Sequence, residues 1–213
     1  MITTLENHTH TSESQAALDT QDALQLLKEG NQRFLSDAPL NRDFKAQIAK
    51  TSTGQYPFAS IVSCIDSRIP TEIVFDQGVG DIFNARIAGN FINDDILGSL
   101  EFACKLAGSK LIVIMGHTSC GAVKGACDHA ELGKLTGMLK KITPALDKVA
   151  TPEGTDRSSK NLDFVNQVAV QNVHLSMEKL KQDSQVLNEM IEAGTVKLVG
   201  AMYDVKSGKV DFI

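Results

Sequence analysis

The chain has 213 residues, 42% of them hydrophobic and 22% charged, with a formal net charge of −5 at neutral pH. That length suits one domain with a sizeable core, and an acidic balance without a basic cluster argues against nucleic acid or an anionic membrane as partner. Trp is absent and aromatics make up 5% of the chain, which speaks against base-stacking platforms, and no apolar stretch approaches the roughly 20 residues that span a bilayer.

In chain order, residues 1–18 are polar and aperiodic and read as a flexible tail. They show no basic region or apolar core of a secretory signal, so a cytoplasmic location is expected. His8 and His10 in this stretch read as solvated side chains, because two ligands on floppy chain lose too much entropy to hold a metal. Leu24, Leu27, Phe34 and Leu35 make a helical stripe across 21–36, with Thr20 as N-cap. Pro39 ends it, and a second short helix is expected over 42–50. No strand precedes these helices, so they either lie on their own sheet or reach across to a partner subunit.

The middle of the chain alternates. A strand is predicted at 58–63, then a short helix begun by Pro70, a turn at Gly78-Val-Gly80-Asp81, and a strand at 82–86. A turn at Gly89-Asn90 leads to a helix over 95–107. A strand follows at 111–115, and a helix opens at 118–120. Leu135, Met138, Leu139, Ile142, Leu146 and Val149 share one further helical stripe. After a loop at 151–160 come a long helix over 159–180 and a shorter one stopped by Gly194. A strand at 196–203, a turn at 206–209 and a hairpin edge at 210–213 complete the chain. Strands alternating with helices indicate an α/β fold with a central, mostly parallel sheet flanked by helices. One domain accounts for the chain from residue 19 to residue 213.

Cys64 and the pair His117/Cys120 each sit just past an apolar run, and ligands of open α/β sheets bind beyond the carboxyl ends of strands. If the two strands are neighbours at a switch point, the gap between Cys64 and His117 closes. Two thiols and one imidazole are a soft set suited to Zn²⁺, and three protein ligands leave a fourth position for water. The spacing of His117 and Cys120 lets both reach one ion, and a helix start favours thiolate at Cys120. In extended backbone Cys64, Asp66 and Arg68 would point to one side. Asp66 would then accept a hydrogen bond from water at the metal, and Arg68 would keep it ionised and off the metal. Single cysteines are usually small core residues, and Cys104 and Cys127 read that way. Cys64 and Cys120 as a redox pair lack a Cys-x-x-Cys motif.

At Cys64-Ile-Asp66-Ser-Arg68 and Gly116-His117-Thr-Ser-Cys120-Gly121 the chain resembles the β-class carbonic anhydrases. The likeness continues through Phe75-Asp-Gln77, Gly80-Asp-Ile-Phe83, Arg86-Ile-Ala-Gly-Asn90, Gly98-Ser-Leu-Glu101 and Gly200-Ala-Met-Tyr203-Asp204. The resemblance implies one zinc per subunit held by Cys64, His117 and Cys120, with Asp66 and Arg68 as a catalytic dyad. It implies that the Gln77 amide reaches substrate from a partner subunit, that Phe83 walls the CO₂ pocket, and that Gly89 and Gly121 let backbone approach the site. It further implies four parallel strands plus an antiparallel C-terminal edge strand, and a homodimer or dimer of dimers in which the N-terminal helices embrace the neighbour. The activity implied is reversible hydration of CO₂ to bicarbonate and a proton. A carbonyl sulfide or carbon disulfide hydrolase on the same scaffold, and a non-catalytic zinc-stabilised bicarbonate-binding protein, are the alternatives. Arg86 and Tyr203 match two members of a second bicarbonate pocket found in some bacterial relatives. The third member, a Trp, has no counterpart here, so an open metal is expected at neutral pH.

Overall fold

In the computed structural model, which describes residues 9–213, the strand order brings two distant loops together. The strands are β1 (Ala59–Ser63), β2 (Ile82–Arg86), β3 (Leu111–His117), β4 (Lys197–Tyr203) and β5 (Val210–Phe212). Their order in the sheet is β2-β1-β3-β4-β5. The first four run parallel and β5 runs antiparallel to β4. From β1 the chain moves to one side to form β2, then returns past β1 to form β3. The carboxyl ends of β1 and β3 therefore flank the point where the strand order reverses, the usual ligand-binding crevice of such sheets.

Helices cover both faces, and every residue of β1 and β3 is buried. A strand buried on both sides needs apolar residues throughout, which is why β3 reads Leu-Ile-Val-Ile-Met without alternation. Val62, Ile112 and Ile114 face Ile96, Leu97, Leu100 and Leu180. Ile61, Val113 and Met115 face the other layer, which includes Leu27, Phe75, Ile142 and Val165.

The helices are α1 (Ser12–Ala17), α2 (Thr20–Leu35), α3 (Phe44–Thr51), α4 (Thr71–Val74), α5 (Asp94–Glu101), α6 (Gly121–Cys127), α7 (Gly133–Leu139), α8 (Thr143–Lys148), α9 (Leu162–Asp183) and α10 (Gln185–Glu192). Several depart from the sequence reading. Residues 12–17 form a helix rather than flexible tail: Thr11 and Ser14 close a capping box. The buried Gln15 amide donates to the carbonyls of Pro57 at 2.7 Å and Ala107 at 2.8 Å, which ties α1 to the entries of β1 and β3. His10 lies edge-on to Phe58, whereas His8 falls outside the described residues. Asp19, not Thr20, caps α2, its carboxylate accepting from the amides of Gln21 and Asp22. The single stripe expected over 135–149 is two helices, because Pro144 in a continuous helix would clash with the preceding turn and lack a donor. Helix α5 continues as a π-helical segment, Phe102–Leu106.

Helix α2 lies on its own chain, burying Ala23, Leu24, Leu26, Leu27, Gly30 and Asn31. The Asn31 amide donates to the carbonyls of Val74 and Gly208, both at 3.0 Å, and its oxygen accepts from the Val210 amide at 3.0 Å. Helix α3 buries only Gln47 and leaves Phe44 and Ile48 exposed. Among the described residues no helix is long and apolar enough to cross a membrane.

Candidate metal centre

Cys64 is the first residue past β1, His117 is the last of β3, and Cys120 is the N-cap of α6. Ser119 adopts a left-handed conformation (φ 57°) and donates its amide to the Asn166 side-chain oxygen Oδ1 at 2.9 Å. That turn folds Cys120 back toward the strand end it has just left. One ligand atom from each of Cys64, His117 and Cys120 lies within 4.8 Å of the other two, and all three residues are buried.

The His117 ring defines what this cluster can hold. Its Nδ1 lies 3.0 Å from the Thr118 carbonyl oxygen. A carbonyl only accepts, so the neutral ring carries its proton on Nδ1 and leaves a lone pair on Nε2. That Nε2 is inaccessible to solvent and has no hydrogen-bond partner. A buried, unpartnered ring nitrogen beside two thiols is unfavourable unless a cation completes it, so the donor set fits a metal ion. The peptide that orients the ring is itself fixed. Thr118 donates its amide to the Tyr203 carbonyl at 2.9 Å and its hydroxyl to Asp204 at 3.2 Å, and it accepts from the Val205 amide at 3.0 Å.

The two sulfurs share a proton in the protein alone. The thiol of Cys120 donating to Cys64 draws Cys64 down to about 4 against the opposing effect of burial, with help from the Gly89 amide. The same bond, burial and the negative charge on Cys64 hold the Cys120 proton on. A soft dication would displace that shared proton and accept both sulfurs as thiolates.

Asp66 faces the cluster, one carboxylate oxygen lying 3.9 Å from His117 Nε2. Arg68 grips it in a fork, Nε to Oδ1 at 2.9 Å and Nη2 to Oδ2 at 2.7 Å. The Arg68 guanidinium accordingly holds the Asp66 carboxyl well below the usual carboxylate range. The extended backbone expected over 64–68 stops short. The Ile69 amide donates to the Asp66 carbonyl at 3.1 Å, closing a turn, and Arg68 reaches Asp66 by that turn rather than by strand alternation.

The remaining candidates separate. The Gly89 amide donates to Cys64 Sγ at 3.4 Å, and at φ +82° a side chain there would meet Ile142 at 2.5 Å, so backbone approach at Gly89 does require glycine. A side chain at Gly121 would meet open space, so crowding by the protein does not explain that glycine. Gln77 donates its amide to the Phe75 carbonyl at 2.7 Å and lines a cavity of about 660 Å³ with Phe44, Ile73 and Asp76. Phe83 lies on the edge strand β2, packs edge-to-face with Phe102 and lines a different cavity of about 630 Å³. Neither cavity includes Cys64, Asp66, His117 or Cys120 in its lining. Within one chain, then, Gln77 and Phe83 stand apart from the cluster. His129 and His174 are exposed and outside it as well.

Sequence reasoning missed the supports: Thr118, Asn166 and Asp204 around His117 and Cys120, and Asn172, whose amide donates to the Gly89 carbonyl at 2.8 Å. Polar residues on helices and turns carry no motif for such work. Only the contact made across the fold reveals it.

A family model described as carbonic anhydrase matches residues 59–210. Carbonic anhydrase 2 of Mycobacterium tuberculosis is 36% identical over 191 residues, covering 88% of this chain and 89% of the relative. Among solved structures, the β-carbonic anhydrase of the fungal pathogen Aspergillus fumigatus superposes with a TM-score of 0.69 at 26% identity, covering 91% of this chain and 89% of that one. A tetrameric β-carbonic anhydrase from Sordaria macrospora has a TM-score of 0.68 at 22% identity, over 78% of this chain and 85% of that one.

Proposed function

With this chain belonging to the β-carbonic anhydrase family, and so a catalyst of the reversible hydration of CO₂ to bicarbonate and a proton, we propose that Cys64, His117 and Cys120 bind one Zn²⁺ per subunit and that Asp66 and Arg68 form the catalytic dyad. The observation that carries the assignment is the buried His117 Nε2, unpartnered and clustered with the two sulfurs. A zinc ion at these three atoms supplies a Lewis acid that makes water ionise far more readily than in bulk.

The chain's own residues divide the rest of the work. Two thiolates neutralise a dication and weaken its pull on water, and the Gly89 N–H bond to Cys64 Sγ draws off part of that sulfur's charge. Asp66 accepts a hydrogen bond from the reacting water and so orients its lone pair toward CO₂. Because Arg68 makes Asp66 so acidic, the carboxylate orients the water rather than storing a proton, which passes on to solvent and buffer. By engaging both carboxylate oxygens, Arg68 also restrains Asp66 from becoming a metal ligand.

Gln77 and Phe83 act on substrate across a subunit boundary in this reading. Both belong to surface cavities apart from their own chain's cluster, and α3 offers the exposed Phe44 and Ile48 to a neighbour. A homodimer or dimer of dimers with α2 and α3 against the partner would bring them to the partner's metal. Sedimentation equilibrium at micromolar concentration tests this, and a monomer would remove it.

The decisive experiment is stopped-flow CO₂ hydration on protein of measured zinc content, before and after chelation. Turnover that disappears with zinc and returns on its replacement is expected. Absence of turnover with one zinc bound per subunit would overturn the catalytic assignment.

A further inference from the structure

We propose that Arg86 is a positioning residue for the metal centre, holding the segment that carries both Cys64 and Asp66. This inference rests on the zinc and dyad assignment above. Arg86 is the last residue of β2 and pairs in register with Ser63, the last residue of β1. The final backbone bond between these strands runs from the Ile87 amide to the Ser63 carbonyl at 3.0 Å. Past it the ladder has no more donors to offer, yet the segment from residue 64 to residue 66 must stay in place. The Arg86 side chain supplies the missing donors: Nε donates to the Cys64 carbonyl at 3.0 Å and Nη2 to the Asp66 carbonyl at 2.6 Å.

One rigid planar group thus spans the residue that would ligate the metal and the residue that would orient water. A guanidinium suits this because its donors have fixed spacing, and charge-assisted bonds are shorter and stronger than amide ones. The grip on Asp66 is twofold, with Arg68 on the carboxylate and Arg86 on the carbonyl of the same residue. Arg68 sets where the carboxylate points, and Arg86 sets where its backbone stands relative to Cys64. The same commitment takes up two guanidinium donors that an anion in the second bicarbonate pocket of the resemblance would otherwise compete for.

The test compares wild type with Arg86→Lys and Arg86→Ala, each at measured zinc content, by CO₂ hydration kinetics and by the visible spectrum of the cobalt(II)-substituted protein. For Arg86→Ala we expect equimolar metal and a native circular dichroism spectrum. Its kcat should fall on the order of 10-fold or more, as for other outer residues of metal sites, with KM nearly unchanged. Its cobalt bands should shift, because Cys64 moves relative to His117 and Cys120. Arg86→Lys, which offers a flexible point donor in place of the fork, should recover part of kcat and part of the spectral shift. Wild-type kcat together with wild-type cobalt bands in both variants would overturn the proposal. If Arg86→Ala does not fold, Arg86→Lys decides by the same two readouts. An inactive wild type would strike down the CO₂ assignment, while the cobalt spectra would still decide the role of Arg86.

Discussion

Four buried cysteines fall into two regions of opposite character. Burial pushes the Cys104 thiol up to about 12, and burial together with the neighbouring Asp128 charge pushes Cys127 up to about 11. Cys64, buried to a similar degree at 4% as Cys104 at 3% and Cys127 at 5%, is drawn down to about 4 because the Cys120 thiol and the Gly89 amide donate to its sulfur. Burial keeps a thiol protonated where it outweighs the donors that reach the sulfur. Where the end of one strand, the start of a helix and a glycine turn converge, donors at the sulfur outweigh the same burial and favour thiolate.

The sharpest way to break this contrast is to truncate one cysteine from each region. Cys64→Ala should lose zinc and at least ~1,000-fold of CO₂ hydration activity, since two protein ligands hold a catalytic zinc poorly. Metal content by atomic absorption alongside stopped-flow rates gives the answer. Retention of one zinc with full activity would contradict the ligand assignment. A step smaller is Asp66→Asn, which should keep zinc while turnover falls roughly 100-fold, within the range of a lost acid–base or orienting group. Unchanged turnover across pH would remove Asp66 from the mechanism.

The third comparison uses pH directly. In metal-free protein at pH 6, Cys64 lies above its pKa and is thiolate, whereas Cys104 and Cys127 lie several units below theirs and stay protonated. Iodoacetamide labelling followed by peptide mass mapping should therefore modify Cys64 first, and added zinc should protect it. Equal labelling of Cys64, Cys104 and Cys127 would show that their surroundings do not differ as described. Gly89→Ala comes next. Its φ of +82° and the 2.5 Å approach to Ile142 should cost about 1–3 kcal/mol of stability in chemical denaturation. The smallest effect belongs to Cys104→Ala, which should cost about 1 kcal/mol, as expected for one small buried group, and leave zinc and kcat untouched.

What could be read in the sequence divides along the same line. The strands at 58–63 and 111–115 were legible because uninterrupted apolar runs admit few other structures, and Cys64, Asp66, Arg68, His117 and Cys120 were legible because their spacing is itself chemical. The polar helix α1 was not, since six residues without an apolar stripe leave no periodic signal and its anchor is a single glutamine. The break between α7 and α8 hid behind a stripe that runs through both, and the proline beside it was the overlooked sign. Arg86, Asn166 and Asn172 were invisible as supports because their partners are backbone atoms, which no side-chain pattern announces. Arg86 illustrates the limit well: resemblance pointed it toward an anion, and the fold turned it onto two carbonyls.

Asn31 has a consequence for how the chain reaches this structure. Its amide oxygen waits for a backbone donor 179 residues later, and its amide nitrogen spans 43 and 177 residues to its two acceptors. During synthesis α2 leaves the ribosome long before β5 and the turn that precedes it. The buried side chain therefore cannot be fully satisfied until Val210 has left the ribosome. Contacts of such sequence separation are made late and slowly. The closure of this sheet around Asn31 should wait on β5, and a nascent chain stalled short of Val210 should remain open to proteases at α2.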